Sequence, residues 1–207
     1  DLGALTGDFM DGSVEMLRDD MAPIATLKSR FGSYFCTGNH EYYSGADAWI
    51  AEFRRIGVRV LRNERVPIND AQAGGAGFDI AGIDDHRSAR FGNGHGPNLS
   101  KALTARDKER AVVLLAHQPK AVHEAATLDV DLVLSGHTHG GQIWPFGYAV
   151  RLVQPYVAGL HKHGAGPNGT QIYVSRGTGY WGPPMRLGAP HEVTLLTLRA
   201  SPAQPPS

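Results

Sequence analysis

The sequence predicts a single α/β domain, in which a β-sheet carries packed helices and a second, mixed or antiparallel sheet follows. Three observations predict it. Short apolar runs of strand length recur along the chain, helical stretches fall between several of them, and the later runs have no clear helix between them. Strands alternating with helices favour a sheet with helices on its face. Later runs without crossover helices point to a mixed or antiparallel second sheet. The chain of 207 residues can bury a sizeable core and reads as one domain over residues 1–199.

Taken in order, the strand runs are residues 2–6, 34–37, 58–61, 78–83, 111–116, 132–135, 171–175 and 193–198. Residues 23–30 fit a helix with Pro23 in its first turn and Gly32 just past its end. Residues 46–56 carry Trp49, Phe53 and Ile56 at helical spacing and are closed by Gly57. Residues 99–110 and 119–128 read as two further helices. Gly74-Gly75-Ala76-Gly77 lacks a third spaced glycine and leads into a strand, so it reads as a hairpin turn and not a dinucleotide loop. Residues 200–207, rich in proline and serine, read as a disordered tail. The chain opens at Asp1 without an initiator methionine, and its first strand is already under way. The expectation is that upstream sequence is missing, and that a signal peptide or membrane anchor was lost with it.

Composition narrows the classes. Twenty acidic and twenty basic side chains cancel, so nothing in the overall charge indicates nucleic acid or an anionic membrane as a partner. One cysteine, Cys36, excludes an internal disulfide framework and a thiolate metal cage. No apolar stretch approaches the ~18 residues that span a bilayer. The compartment stays open between cytoplasmic and membrane-associated.

Four strand runs end alike. They lead into Gly7-Asp8, Gly38-Asn39-His40-Glu41, His117-Gln118-Pro119 and Gly136-His137-Thr138-His139. Each delivers a metal-competent side chain just past a strand's C-terminal end, the edge at which open α/β sheets bind ligands. Aspartate, asparagine and histidine without sulfur make a mixed oxygen and nitrogen shell suited to Mn, Fe or Zn. In an extended segment His137 and His139 would project to one side, each toward a different ion of a close pair. Asp8, with two carboxylate oxygens, is the natural bridge between two ions ~3.5–4 Å apart that would clamp a phosphate and acidify a water. His40 follows Asn39 and is placed to give a proton to a leaving oxygen or stabilise charge there. Pro119 sits where a helix would start, so that helix's N-terminus is expected to face the anion.

The runs GD, GNHE, AHQP and GHTHGGQ, in this order, resemble the calcineurin-like metallophosphoesterase superfamily over almost the whole chain. The likeness is nearest to its single-domain bacterial branch, often membrane-associated, with GHTHGGQ and a late RGTGY. It implies a four-layer αββα sandwich of two mixed sheets flanked by helices, with the first strand absent from this chain. It further implies two divalent ions, with Asp8 bridging, Asn39, His117 and His137 completing one site, His139 in the other, and His40 catalytic. The family's opening Asp-x-His motif is not present ahead of Asp8, which leaves the second ion with Asp8 and His139 only.

The resulting expectation is hydrolysis of a phosphoester substrate, a monoester or a diester, by direct attack of metal-bound hydroxide. A narrower alternative is a membrane-associated pyrophosphohydrolase acting on a nucleotide-linked lipid precursor. A different one is a non-catalytic scaffold with a partial metal site. Arg176, Tyr180 and Gln142 are candidates for holding substrate. Asp84-Asp85-His86 would line the cleft or serve turn chemistry, and Glu41 would support the site or be solvated. Trp144, Phe146, Trp181 and Met185 read by default as core, with an apolar substrate wall as the alternative. His86, His95, His123, His161, His163 and His191 are expected to be ordinary surface or core histidines, with His161 and His163 in a glycine-rich loop.

Overall fold

The computed structural model of the chain describes residues 1–70, 77–164 and 169–199. Among the described residues, three strands form a small parallel sheet: β1 (Gly3–Leu5), β2 (Ser33–Phe35) and β3 (Arg59–Val60), in that order. The larger sheet holds β4 (Glu64–Asn69), β5 (Gly77–Gly82), β6 (Val112–Leu115), β7 (Leu132–Ser135), β8 (Gly159–His163) and β9 (Thr170–Val174). Its order is β4-β5-β6-β7-β9-β8, and it is mixed. The four central strands run parallel, while β4 and β8 close the edges antiparallel. The helices are α1 (Val14–Met21), α2 (Asn39–Tyr43), α3 (Ala46–Arg55), α4 (Leu99–Ala102), α5 (Val122–Thr127) and α6 (Gly147–Val150).

The period-2 alternation of strand side chains separates the layers. Phe35 of β2 faces α3, where it packs with Trp49, Ile50, Phe53 and Val60; its ring stacks on Phe53 at 4.2 Å. Its neighbours Tyr34 and Cys36 face the other way, onto Ile80, Leu115 and Leu61, and fill the space between the sheets. On the far side of the large sheet Ala81, Val112, Leu114, Val133 and Ile172 pack with Leu99, Val122 and Ala125 of α4 and α5. Helix, sheet, sheet, helix is the resulting succession. β6 (Val-Val-Leu-Leu) is buried at every position, as expected of a central parallel strand covered on both faces.

Several elements differ from the sequence reading. The helix expected at 23–30 lies earlier, at α1, and passes into a 3-10 turn at Ala22–Thr26. Pro23 lacks the N–H that continuing the α-helix needs, and Leu27 is already extended. The helix expected over 99–110 stops after Ala102; Ala105 is left-handed, and Arg106 turns back onto the carbonyls of Leu128 and Asp129. Residues 119–128 hold a 3-10 turn at Pro119–Ala121 before α5, so the α-helical start is Val122 and not the residue beside His117. Residues 193–198 form no strand: they join no strand ladder among the described residues, and Val193 and Leu195 are 90% and 92% exposed. β4 and β8 were unforeseen, since Pro67 and the polar His161-Lys162-His163 mask a strand pattern. His161 and His163 thus stand on an edge strand, not in a loop. Gly74 to Ala76 of the expected hairpin turn lies outside the described residues, as does the tail at 200–207; the strands flanking the turn pair antiparallel, Asn69 opposite Gly77.

Candidate metal centre

Two turns, one after β1 and one after β2, approach each other backbone to backbone. A Cβ on Gly7 (φ 86°) would lie 2.3 Å from the Gly38 nitrogen, and one on Gly38 would lie 2.2 Å from Asp8 Oδ1. Only glycine fits either place. Glu41, fully buried on α2, ties the turns together by accepting the N–H groups of Asp8 (3.0 Å), Phe9 (2.8 Å) and Gly38. Burial, then the nearby Asp8 charge, raises the Glu41 pKa against the pull of those donors. Glu41 is therefore neither solvated nor pointed at substrate; it fixes the position of Asp8.

Asp8 itself is left-handed (φ 58°). Its Oδ1 accepts the His40 N–H at 2.9 Å, which leaves Oδ2 facing the large sheet. From β6 and β7 come His117, with Nε2 2.8 Å from Oδ2, and His137, with Nδ1 3.9 Å from it. His117 donates from Nδ1 to the Thr6 carbonyl (2.6 Å), so its Nε2 is the atom turned to the cluster. Ligand atoms of Asp8, His117 and His137 all fall within 4.8 Å of one another.

The electrostatics follow from this packing. Burial alone would raise the Asp8 carboxyl and lower His117. Their mutual attraction reverses both, holding Asp8 well below the usual carboxylate range and pushing His117 up to about 9. Burial lowers the His137 pKa, and the hydrogen bond to Asp8 offsets this only in part. Beside them Asn39 Oδ1 is buried without a hydrogen-bond partner. An orphaned buried acceptor costs roughly 1–3 kcal/mol, and a cation would be a fitting partner for it. A carboxylate, an amide oxygen and two imidazoles are the donor set that holds Mn, Fe or Zn, so the residues present fit a divalent ion.

The backbone from His137 to His139 departs from the expectation. Both His137 (φ 68°) and His139 (φ 50°) are left-handed, and His139 opens a 3-10 turn at His139–Gly141. The segment is not extended, so the alternation that would put the two rings on one side does not apply to it. The His139 ring sits instead against Arg186, with Nη2 to Nδ1 at 3.2 Å. Burial and then that guanidinium push His139 down to about 4. Sequence reasoning missed Arg186, which no local pattern marks. Such a concentration of left-handed non-glycine residues (Asp8, His137, His139, Gln142) stores backbone strain at the place where strand ends meet.

His40 is partly exposed, with Nε2 4.0 Å from Asp8 Oδ2 and Nδ1 hydrogen-bonded to the Asp11 carboxylate. Asp11 was also missed; its place three residues past Asp8 was the available signal. Of the candidate substrate residues, Gln142 is buried and fully engaged, donating to the Trp181 carbonyl (2.8 Å) and accepting the Trp181 N–H (2.9 Å). Arg176 pairs with Glu192 at 2.8 Å and lines a cavity of about 660 Å³ with Arg151, next to Gly140. Tyr180 is exposed nearby. Asp84 binds Arg62 through both oxygens and Asp85 accepts from the Gln118 amide, so this pair is structural. His95 contacts Arg62, while His161 and His191 donate to the carbonyls of Ala158 and Thr178. Trp144, Phe146, Trp181 and Met185 are exposed, not core. The first three line an apolar cavity of about 650 Å³ with Gly141 and Gln142.

Residues 1–141 match the sequence model of the family described as calcineurin-like phosphoesterase. The chain belongs to that family. It is 43% identical over 209 residues to a protein named "Transmembrane protein with metallophosphoesterase domain" from Bos taurus, covering 98% of this chain and 46% of the relative. It is 40% identical over 199 residues to an "Uncharacterized metallophosphoesterase" of Helicobacter pylori, covering 96% and 51%. The chain thus spans about half the length of these curated relatives. Among solved structures, the NAD nucleotidase of Haemophilus influenzae matches at a TM-score of 0.50 and 19% identity, over 85% of this chain and 40% of that one. At that identity the likeness speaks for the fold alone.

Proposed function

We propose that residues 1–199 form the hydrolytic domain of a phosphoesterase whose centre takes two divalent ions. The observation that carries this reading is the buried, partnerless Asn39 Oδ1 beside Asp8, His117 and His137. Asp8, Asn39, His117 and His137 would hold one ion, and Asp8 and His139 would serve the other. When bound, such a pair neutralises phosphate charge and acidifies a water for in-line attack on a monoester or diester. The chain's own part is positioning and proton handling. Glu41 holds Asp8 in place, and the Thr6 carbonyl fixes which His117 nitrogen faces the centre. Asp11 on the Nδ1 side would orient the His40 ring, leaving Nε2 as the atom to serve the leaving oxygen. Arg176 and Arg151, with Tyr180 near, would receive a further anionic group of the substrate, and Gln142 orients the 181–183 segment.

A narrower reading, pyrophosphohydrolysis of a nucleotide-linked lipid precursor, is favoured by one observation: the apolar cavity of Trp144, Phe146 and Trp181 adjoins Gly141 and Gln142 of the metal loop. The test is hydrolysis of an aryl phosphodiester by the intact protein with added Mn. Turnover is expected, and His137→Ala or Asp8→Asn should abolish it. Unchanged turnover in both variants overturns the assignment; tight metal binding without turnover on any phosphoester supports the scaffold reading instead.

A further inference from the structure

Charge is unevenly placed in this neutral chain. Between Leu132 and His191 there is no aspartate or glutamate, while Arg151, Lys162, Arg176 and Arg186 are basic. The first 131 residues correspondingly carry nineteen acidic and fifteen basic side chains. The carboxylate-free stretch is also where large apolar side chains stand in the open. Trp144 is 67% exposed, Tyr148 68%, Leu152 86% and Val153 68%. Trp181 and Leu187 adjoin them, because Trp181 shares a cavity wall with Trp144 and Tyr148, and the Trp144 N–H donates to the Leu187 carbonyl at 2.8 Å.

This surface is not a loose loop. α6 and the turn after it are held by backbone hydrogen bonds, Leu152 to Ala149, Val153 to Val150 and Gln154 to Val150. Gln154 is buried, bonded to Gln118 and to the Lys120 N–H, which pins the turn to the segment following β6. A rigid platform therefore presents tryptophan, tyrosine and leucine outward with the Arg151 guanidinium beside them, while Arg176 at its edge is paired with Glu192. Contiguous exposed apolar area of this kind marks an interaction site. Aromatic rings with basic neighbours are the composition that settles at the headgroup boundary of a bilayer.

We propose that the face formed by α6, the turn at 151–153 and the 181–187 segment docks onto an anionic lipid surface. Docking sets the rim of the metal centre, Gly140 to Gln142, against the headgroups. It stands apart from the hydrolytic reading, since docking is measured without turnover. It differs equally from anchoring by a membrane span, because it requires these side chains to enter the lipid boundary.

Tryptophan fluorescence tests this directly. Of the three tryptophans, Trp49 is fully buried in the small-sheet core, while Trp144 and Trp181 lie on the face. Intact protein is mixed with vesicles of phosphatidylcholine containing a third phosphatidylglycerol, with brominated acyl chains. A blue shift and quenching are expected, weakened by 0.5 M salt and by pure phosphatidylcholine. Trp144→Phe with Trp181→Phe should remove the quenching, leaving the Trp49 signal. Leu152→Ser with Val153→Ser should weaken vesicle partitioning at least about tenfold, with hydrolysis of the soluble aryl diester unchanged. Absence of quenching in the wild type overturns the proposal. So does concentration-dependent dimerisation that shields Trp144 and is lost in the Leu152/Val153 variant, since the face would then meet a second copy.

Discussion

Metal uptake by this centre should be strongly pH-dependent, and His117 sets the sign. In the metal-free protein the Asp8 charge holds His117 protonated up to about 9, against the 6.5 of a free imidazole. An ion can bind only the deprotonated ring, so it must displace that proton. At pH 7 the proton lies about two units below its pKa, a handicap on the order of 3 kcal/mol that vanishes by pH 9. The apparent dissociation constant for Mn should therefore tighten on the order of a hundredfold between pH 7 and pH 9. Calorimetric titration at pH 7 in two buffers of different ionisation heat should register about one proton released per first ion. The same shift works oppositely on the metal-free fold. His117's pKa is raised, so its stabilising contribution is complete below pH 6.5 and is lost as pH climbs through about 9. Metal-free protein should thus melt lower at pH 9 than at pH 6.5, while the Mn-loaded protein gains. A flat Mn affinity over this range with no proton release would refute the reasoning, because it would mean that His117 is already neutral.

Three further outcomes are expected. Glu41→Gln should lower stability by roughly 2–4 kcal/mol in denaturant melts, because an amide cannot accept from all three backbone N–H groups without turning a donor on one of them. Gly38→Ala should abolish high-affinity Mn binding in calorimetry, since its methyl would fall 2.2 Å from Asp8 Oδ1. Asp11→Asn should lower kcat on the aryl diester by about 10–100-fold and leave the Mn affinity within about twofold, as expected of a group that acts through His40 and touches no ligand.

How far the sequence spoke depended on whether a residue's role was written in local spacing. Asp8, Asn39, His117 and His137 each follow a strand whose apolar run is plain, and a glycine or proline marks each turn, so their arrival at one edge could be read in advance. The two-sheet layering was legible for the same reason. Residues acting across the fold were not. Arg186 reaches His139 over 47 positions, and Asp11 reaches His40 over 29, with no periodicity to announce either. What failed at His137 and His139 was the extended geometry read for the segment, because the backbone is left-handed at both histidines. The aromatic stretch from Trp144 was read as core by type, whereas its exposure depends on what no strand or helix covers.

The four strand ends that supply the candidate ligands come from separate sheets, Asp8 and Asn39 from the small one, His117 and His137 from the large one. An ion held among them would thus act as a rivet across the seam of the sandwich as well as a reagent. Chelation should then be felt mechanically: amide exchange would quicken first along β1 and β2, whose attachment to the rest of the molecule loses its pin, while the six-stranded slab behind them keeps its protection.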